Sequence, residues 1–264
     1  MIAGPVLVTG ASKGIGRALA AALAARGIPV IGTSRDPRTV ADPIPGVRYL
    51  ALDQGDNASV DACAAAAGPV EVLVNNAGQS QIAAVEDASI EMVEELFRMN
   101  FFGLVRLTKA FLPAMREKGH GTIINIGSLT GTFPPPFQSA YAGTKLCLEA
   151  FTKSLRQEVR HRGIKVSLVI PGYIKTYIEP RTIAPEGGVY TGELDAFRKA
   201  RDKKMDKASP AEVAARTIIK VMEKKNPAPV YYTGHLVPAM GFLKRVLPER
   251  TAQKMIRTFY KLDR

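Results

Sequence analysis

Short runs of Val, Ile and Leu recur along the chain at 5–9 (PVLVT), 29–33 (PVIGT), 47–51 (VRYLA), 70–74 (VEVLV), 121–127 (GTIINIG), 164–170 (IKVSLVI) and 229–232 (PVYY). Most are apolar at successive positions rather than at alternate ones, which marks strands buried on both faces. Between them lie alanine-rich stretches of helical character near 15–26, 57–66, 89–116, 140–161 and 210–224. Buried strands separated by helices predict a parallel sheet with helices on both faces, a doubly wound α/β fold, as one domain over 1–264. Residues 173–209 break the pattern. They are charged and punctuated by Gly and Pro, and a connection of that length is expected to serve as a lid.

The composition changes this picture little. The 264 residues are 46% hydrophobic and 23% charged, enough for one sizeable core. Cys63 and Cys147 cannot make a disulfide framework, and Cys147 reads as a small packing residue. His120, His161 and His235 are far apart and show no metal-ligand spacing, so no metal is expected. No run is long and apolar enough to span a membrane, and "MIAGPVLVTG" lacks a basic leader, so the expected location is the cytoplasm. The charge is uneven: of the net +12, the segment 198–264 carries +11, from seventeen Lys/Arg and six Asp/Glu. Such a face is open to nucleic acid, anionic lipid or plain solvent. No basic motif is interleaved with aromatics, so nucleic acid is not expected as a partner.

"VLVTGASKGIGRALAAALAARG" joins a strand, a glycine turn and a helix. Gly10, Gly14 and Gly16 let the backbone turn tightly and approach a pyrophosphate, which the helix N-terminus then attracts. The spacing departs from G-x-G-x-x-G. At the end of the second strand, "VIGTSRD" offers Ser34 and Arg35, with Lys13 as a second cation in the turn. A hydroxyl and two cations suit a 2′-phosphate, so NADP(H) is favoured over NAD(H). Asp36 keeps the other reading open, because a carboxylate there would suit the ribose hydroxyls of NAD.

"SAYAGTKLCLEAF" places Tyr141 and Lys145 one helical turn apart, and "INIGSLTG" ends a strand at Ser128. With these motifs in order, the chain resembles the short-chain dehydrogenase/reductase family over about residues 4–235. "TGASKGIG" resembles its cofactor turn, which implies roles for Ser12 and Ile15 beside the glycines and Lys13. The resemblance implies that Asp53 meets the adenine, and that "NNAG", with Asn76, Ala77 and Gly78, steadies the sheet beside the cofactor. It also implies that Pro171, Gly172, Ile174 and Thr176 of "PGYIKT" close over the nicotinamide. Asn100, Ser128, Tyr141 and Lys145 match a catalytic tetrad on a Rossmann fold. In that chemistry Tyr141 delivers a proton to the carbonyl oxygen, and Lys145 lowers the phenol's pKa and bonds the nicotinamide ribose. Ser128 polarises the substrate, and Asn100 holds a water that leads to solvent.

The implied function is an NADP(H)-dependent interconversion of a ketone or aldehyde with its alcohol. The alternatives are a catalytically silent NADPH-binding relative and an NAD-dependent alcohol dehydrogenase. The pocket is expected between 79–83, 129–138 and the 173–209 lid, where Phe133, Pro134–Pro136 and Phe137 suggest a bulky apolar substrate. In the basic tail, about 240–264, Phe242, Leu243, Val246 and Leu247, then Met255, Ile256, Phe259 and Tyr260, recur at helical spacing. That stripe is expected to pack on the domain or a sister subunit rather than on a membrane. The family habit of pairing the helices that carry Asn100 and Tyr141 implies a homodimer or homotetramer.

Overall fold

The computed structural model describes the chain except residues 1, 3, 177–178, 235–236, 238–239, 242–245 and 263–264. His235, Phe242 and Leu243 therefore lie outside the described residues. All seven expected strands form: β1 (Val6–Val8), β2 (Val30–Ser34), β3 (Val47–Ala51), β4 (Val72–Asn75), β6 (Gly121–Ile126), β7 (Ile164–Pro171) and β9 (Val230–Thr233). They pair in parallel in the order β3-β2-β1-β4-β6-β7-β9. A parallel sheet needs a crossover between neighbours, and helices supply it: α1 (Gly14–Ala24), α2 (Asn57–Ala67), α3 (Ile90–Phe97), α4 (Gly103–Lys118), the single turn α5 (Leu129–Thr132) and α6 (Ser139–Val159).

Side-chain alternation divides the core. Val6 and Val8 point to one face, where Ile15, Leu19 and Leu23 of α1 meet Ile218, Ile219 and Met222 of α8 (Ala211–Glu223). Leu7 and Leu73 point to the other, against Val60 and Cys63 of α2 and Leu107, Phe111 and Met115 of α4. Strands buried on both sides have no polar face, which explains their unbroken apolar runs. Cys63 is sealed in this second core and burial pushes its thiol up to about 11; Cys147 is half-buried. No helix among the described residues is long and apolar enough to cross a membrane.

Three features depart from expectation. The long helix expected over 89–116 is interrupted by a π-helical turn at Arg98–Phe102, which carries Asn100. Residues 173–209 are not an irregular loop throughout, for α7 (Thr191–Met205) lies within them. Its sequence is dominated by charge, and it buries only Leu194, Phe197 and Ala200, so its apolar period is faint. A separate two-stranded parallel ribbon, β5 (Gln81–Ile82) with β8 (Arg181–Thr182), ties this segment to the loop after β4. In the tail, α9 spans Glu249–Phe259.

A polar chain runs through the sheet's centre. Asn75 Nδ2 donates to Asn125 Oδ1 at 2.9 Å and to Thr108 Oγ1 at 3.1 Å. Asn125 Nδ2 donates to Thr152 Oγ1 at 2.9 Å, which itself donates to the Leu148 carbonyl. The chain fastens α4 and α6 to neighbouring strands, and all its members are buried. Asn125→Ala removes the central link and leaves buried polar groups short of partners. Urea unfolding should register a loss of about 2–3 kcal/mol; a loss under about 0.5 kcal/mol would mean that the chain does not hold the layers together.

Candidate active site

Because every main-sheet strand runs the same way, the ends of β1, β2, β4, β6 and β7 share one edge. The sheet order reverses between β1 and β4, and that switch point opens a crevice at the edge. The glycine turn lies in it. Gly10 (φ 67°) and Gly14 (φ 56°) hold left-handed backbone, and a Cβ on Gly16 would sit 2.3 Å from the Gly10 carbonyl oxygen. The turn is clasped from β4's end: Asn76 and Ala77 N–H both donate to Thr9 Oγ1 at 2.9 Å, and Asn76 Nδ2 donates to Thr9 O at 2.8 Å. From β2, Thr33 Oγ1 accepts from Gly10 N–H at 3.2 Å. Ser12, Lys13 and Ile15 thus come to the start of α1. That helix has no side-chain cap and no acid in its first turn, so its N–H groups and dipole suit an anion.

At β2's end, Ser34 Oγ is buried without a hydrogen-bond partner, and Arg35 is exposed. Asp36, the competing carboxylate, is engaged elsewhere. It accepts from Arg38 N–H and Nε at 3.0 Å and from Nη2 at 2.9 Å, capping the turn Pro37–Thr39. The Arg38 contacts hold the Asp36 carboxyl below the usual carboxylate range. After β3, Asp53 accepts from Gly55 N–H at 2.8 Å while its own N–H donates to Ser59 Oγ. Its neighbour Gln54 is buried with neither amide atom paired, a feature its sequence position did not signal. A glycine cradle and an uncapped helix start fit the pyrophosphate of a dinucleotide.

Further along the same edge, Ser128, Tyr141, Lys145 and Asn100 converge. Lys145 is buried, with 6% exposure, and its Nζ donates to the Ile126 carbonyl at 2.9 Å. It lies 5.9 Å from the centre of the Tyr141 ring. Ser128 caps α5, its Oγ accepting from Thr130 N–H, and its hydroxyl is near enough to the Tyr141 phenol to lower that group's pKa. Asn100 grips the Gln79 backbone from both sides at 2.8 Å and donates to Thr144 Oγ1 at 3.3 Å. Gly78 separates Asn100 from Lys145: a Cβ there would lie 3.2 Å from Asn100 Oδ1 and 3.6 Å from Lys145 Nζ. Gln79 falls in the expected 79–83 wall, but its bond to Asn100 and the part of Thr144 were not anticipated, because nothing in sequence distinguishes a residue that braces an asparagine.

The electrostatics differ from expectation in one respect. Burial pushes the Tyr141 phenol up, and the nearby Ser128 hydroxyl opposes this only in part. Burial also brings the Lys145 ammonium down to about 8. The desolvation that keeps the site dry works against both charged forms, so the simple picture of a cation lowering the phenol's pKa is incomplete.

The 171–176 segment leaves β7 at Pro171. Gly172 N–H donates to Thr233 O at 3.0 Å, Ile174 is buried, and Ser209 N–H donates to Tyr173 O at 3.0 Å. Thr176 lies over the glycine turn, its Cγ2 3.2 Å from a Cβ built on Gly14. Beside Tyr141, a cavity is lined by Gln81, Ala83, Ala84, Val85, Val93 and Phe137 among others. Of the apolar run 133–137, Phe137 alone lines it. No cluster of metal-ligating side chains occurs among the described residues.

A doubly wound sheet with a glycine turn at its switch point defines the dinucleotide-binding Rossmann class. Within that class, the model of the short chain dehydrogenase family matches residues 5–186, and the chain belongs to that family. It is 34% identical to a 3-ketodihydrosphingosine reductase of Bacteroides thetaiotaomicron, over 97% of this chain and 98% of the relative. A short-chain dehydrogenase from Streptomyces avermitilis superposes with a TM-score of 0.81 and 32% identity, covering 97% of both chains. A serine dehydrogenase solved with NADP+ superposes at 0.71 with 26% identity, covering 88% of this chain and 95% of its own. Family membership makes the chain an oxidoreductase of carbonyl and alcohol groups.

The buried lysine yields a stability prediction. Its folded pKa, about 8, lies below the ordinary 10.5. The folded state therefore binds this proton less tightly than the unfolded state. The cost is fully present below about pH 8 and is relieved as pH rises towards 10.5. Lys145→Met removes a cost on the order of 3 kcal/mol while forfeiting a hydrogen bond worth about 1 kcal/mol. The cofactor-free variant should be more stable than wild type in urea at pH 7, and that advantage should vanish near pH 10. A variant less stable at pH 7 would show that the ammonium is not held against a burial cost.

Proposed function

We propose that the chain is an NADP(H)-dependent reductase of bulky apolar ketones. The observation that carries this reading is the convergence of Ser128, Tyr141 and Lys145 at one strand edge, beside a largely apolar cavity and a glycine cradle. NADPH, when bound, supplies the hydride that a carbonyl carbon accepts. Gly10, Ser12, Lys13, Gly14, Ile15 and Gly16 would receive its pyrophosphate, Ser34 and Arg35 its 2′-phosphate, and Asp53 its adenine. Asn76, Ala77 and Gly78 would flank it, and Pro171, Gly172, Ile174 and Thr176 would cover it.

The chain's own residues handle the oxygen and the proton. Ser128 donates a hydrogen bond to the substrate oxygen as negative charge develops there. Tyr141 gives that oxygen its phenolic proton. Burial keeps the phenol protonated well past neutral pH, which suits the reductive direction. The Lys145 ammonium, beside the ring, stabilises the phenolate that remains. Asn100 braces Gly78–Gln79 against α6 and keeps a polar exit for the replacement proton. The apolar lining of the cavity, about 40 Å³ in volume, supports an apolar substituent on the carbonyl, and the relative named as a 3-ketodihydrosphingosine reductase supports a bulky one. Exposed Phe102 and Leu146, on the π turn and on α6, support self-association through those elements.

The direct test is a panel of ketones of increasing size, followed by nicotinamide absorbance with NADPH and with NADH. Tyr141→Phe keeps the ring and removes the donor. It should bind NADPH as wild type does, while kcat falls on the order of 10²–10⁴-fold. Near-wild-type turnover would end the assignment.

Cofactor choice is read by titrating the protein with each nucleotide. A charge-assisted contact to phosphate is worth about 1.5–3 kcal/mol. Arg35→Ala should therefore weaken NADPH binding by about one to two orders of magnitude and leave NADH nearly unchanged. Adding Ser34→Asp sets a carboxylate against the phosphate and should invert the preference. Equal weakening of both cofactors by Arg35→Ala would mean that another group makes the choice.

A further inference from the structure

The tail is built into the substrate side of the molecule. Ile256, Tyr260 and Leu262 turn inward onto Leu194, Phe197 and Ala200 of α7. Three rings continue the contact towards the cavity. Tyr260 packs on Phe197 with ring centres 4.5 Å apart, and Phe197 meets Phe137 at 5.8 Å. Phe137 lines the cavity beside Tyr141.

Phe137 is also strained. Its φ is 63°, a conformation that costs a bulky residue energy and persists only where surroundings enforce it. On one side its carbonyl accepts from Ala83 N–H at 2.8 Å, just past β5. On the other its ring is held by Phe197 and by Tyr190, whose centre is 6.4 Å away. Tyr260 has a second reach. Its hydroxyl lies 2.7 Å from that of Tyr173, in the segment over the glycine turn. Burial raises both phenols, so both stay protonated and share one hydrogen bond.

We propose that Tyr260 is a positioning residue of the active site, holding Phe137 through Phe197 as the wall against the ketone's bulky substituent and holding Tyr173 directly. The tail is then part of the specificity machinery, selecting flat or extended apolar groups that lie along the ring of Phe137. This rests on the reading of Tyr141 as proton donor, because that reading makes the cavity a substrate pocket.

Amide hydrogen exchange on the cofactor-free protein tests the linkage without any substrate. The reporters are Ala83 N–H, bonded to Phe137 O, and Ser209 N–H, bonded to Tyr173 O. Tyr260→Phe keeps the ring and deletes the hydroxyl, so Ser209 should exchange about three- to tenfold faster while Ala83 is unchanged. Tyr260→Ala removes both contacts, and both amides should quicken while the amides of β4 and β6 keep their rates. In turnover, Tyr260→Ala should raise KM for the largest ketone accepted by about tenfold, hold kcat within twofold and leave KM for acetone unchanged. Tyr260→Phe should restore the large-ketone KM.

An unchanged Ala83 rate in Tyr260→Ala overturns the proposal. So does uniform acceleration across the sheet, or kcat and KM changing alike for both ketones, since each describes a merely structural tail. Should the wild type reduce no ketone, the exchange pattern still decides the linkage, and the failure falls on the reductase reading alone.

Discussion

One hydrogen bond sets the geometry of the site: the Lys145 ammonium, buried in α6, donating to the Ile126 carbonyl at the end of β6. It fixes the helix against the strand where the strand runs out. Ser128 follows Ile126 by two residues and Tyr141 precedes Lys145 by one helical turn, so the same bond brings serine and tyrosine within contact. Close packing enforces the approach. A Cβ on Gly131 would lie 2.9 Å from Lys145 Cβ and 3.1 Å from its backbone carbon. The ammonium is costly to bury, and burial brings it down to about 8. A Leu or Met at 145 would pack with less cost, so function rather than stability accounts for a lysine there.

Most of the sheet was legible because β1, β2, β4, β6 and β7 are buried on both faces, and unbroken Val/Ile/Leu runs announce that condition. The glycine turn was legible because Gly10, Gly14 and Gly16 are each required by backbone conformation or close approach. Helix α7 was not legible, since three buried positions in a helix of fifteen residues, eight of them charged, leave little periodic signal. The β5–β8 ribbon, two residues a strand, leaves none. Asp36 shows a different limit. Its sequence position permits a ribose contact, and only the capping geometry with Arg38 assigns the carboxylate elsewhere.

The tail was half legible. Met255, Ile256, Phe259 and Tyr260 form one apolar stripe in sequence, yet the structure divides it. Ile256 and Tyr260 face α7, while Met255 and Phe259 remain 48% and 41% exposed. The period of 3.6 fixes neighbours on a helix but not which edge of a wide stripe meets the core. Lys204 covers part of the exposed edge, its ammonium 4.2 Å from the centre of the Phe259 ring. Sequence locates an amphipathic helix; the partner face on α7, itself hidden in a charged segment, decides its rotation.

Unfavourable local choices gather at one edge of the molecule. Ser34 Oγ and the Gln54 amide are buried without partners near the ends of β2 and β3. Lys145 is a buried cation, and Phe137 holds a left-handed backbone. The centre of the sheet is better satisfied: Asn75, Thr108, Asn125 and Thr152 are linked in one hydrogen-bonded chain, although Asn75 Oδ1 is buried without a partner. A fold can carry strain and unmade bonds where the rest of the structure over-determines the backbone. The asparagine chain and the two apolar cores supply that rigidity, and the strand ends use it. A bound dinucleotide and substrate would meet polar groups and walls already in position, so less ordering is left to occur on binding.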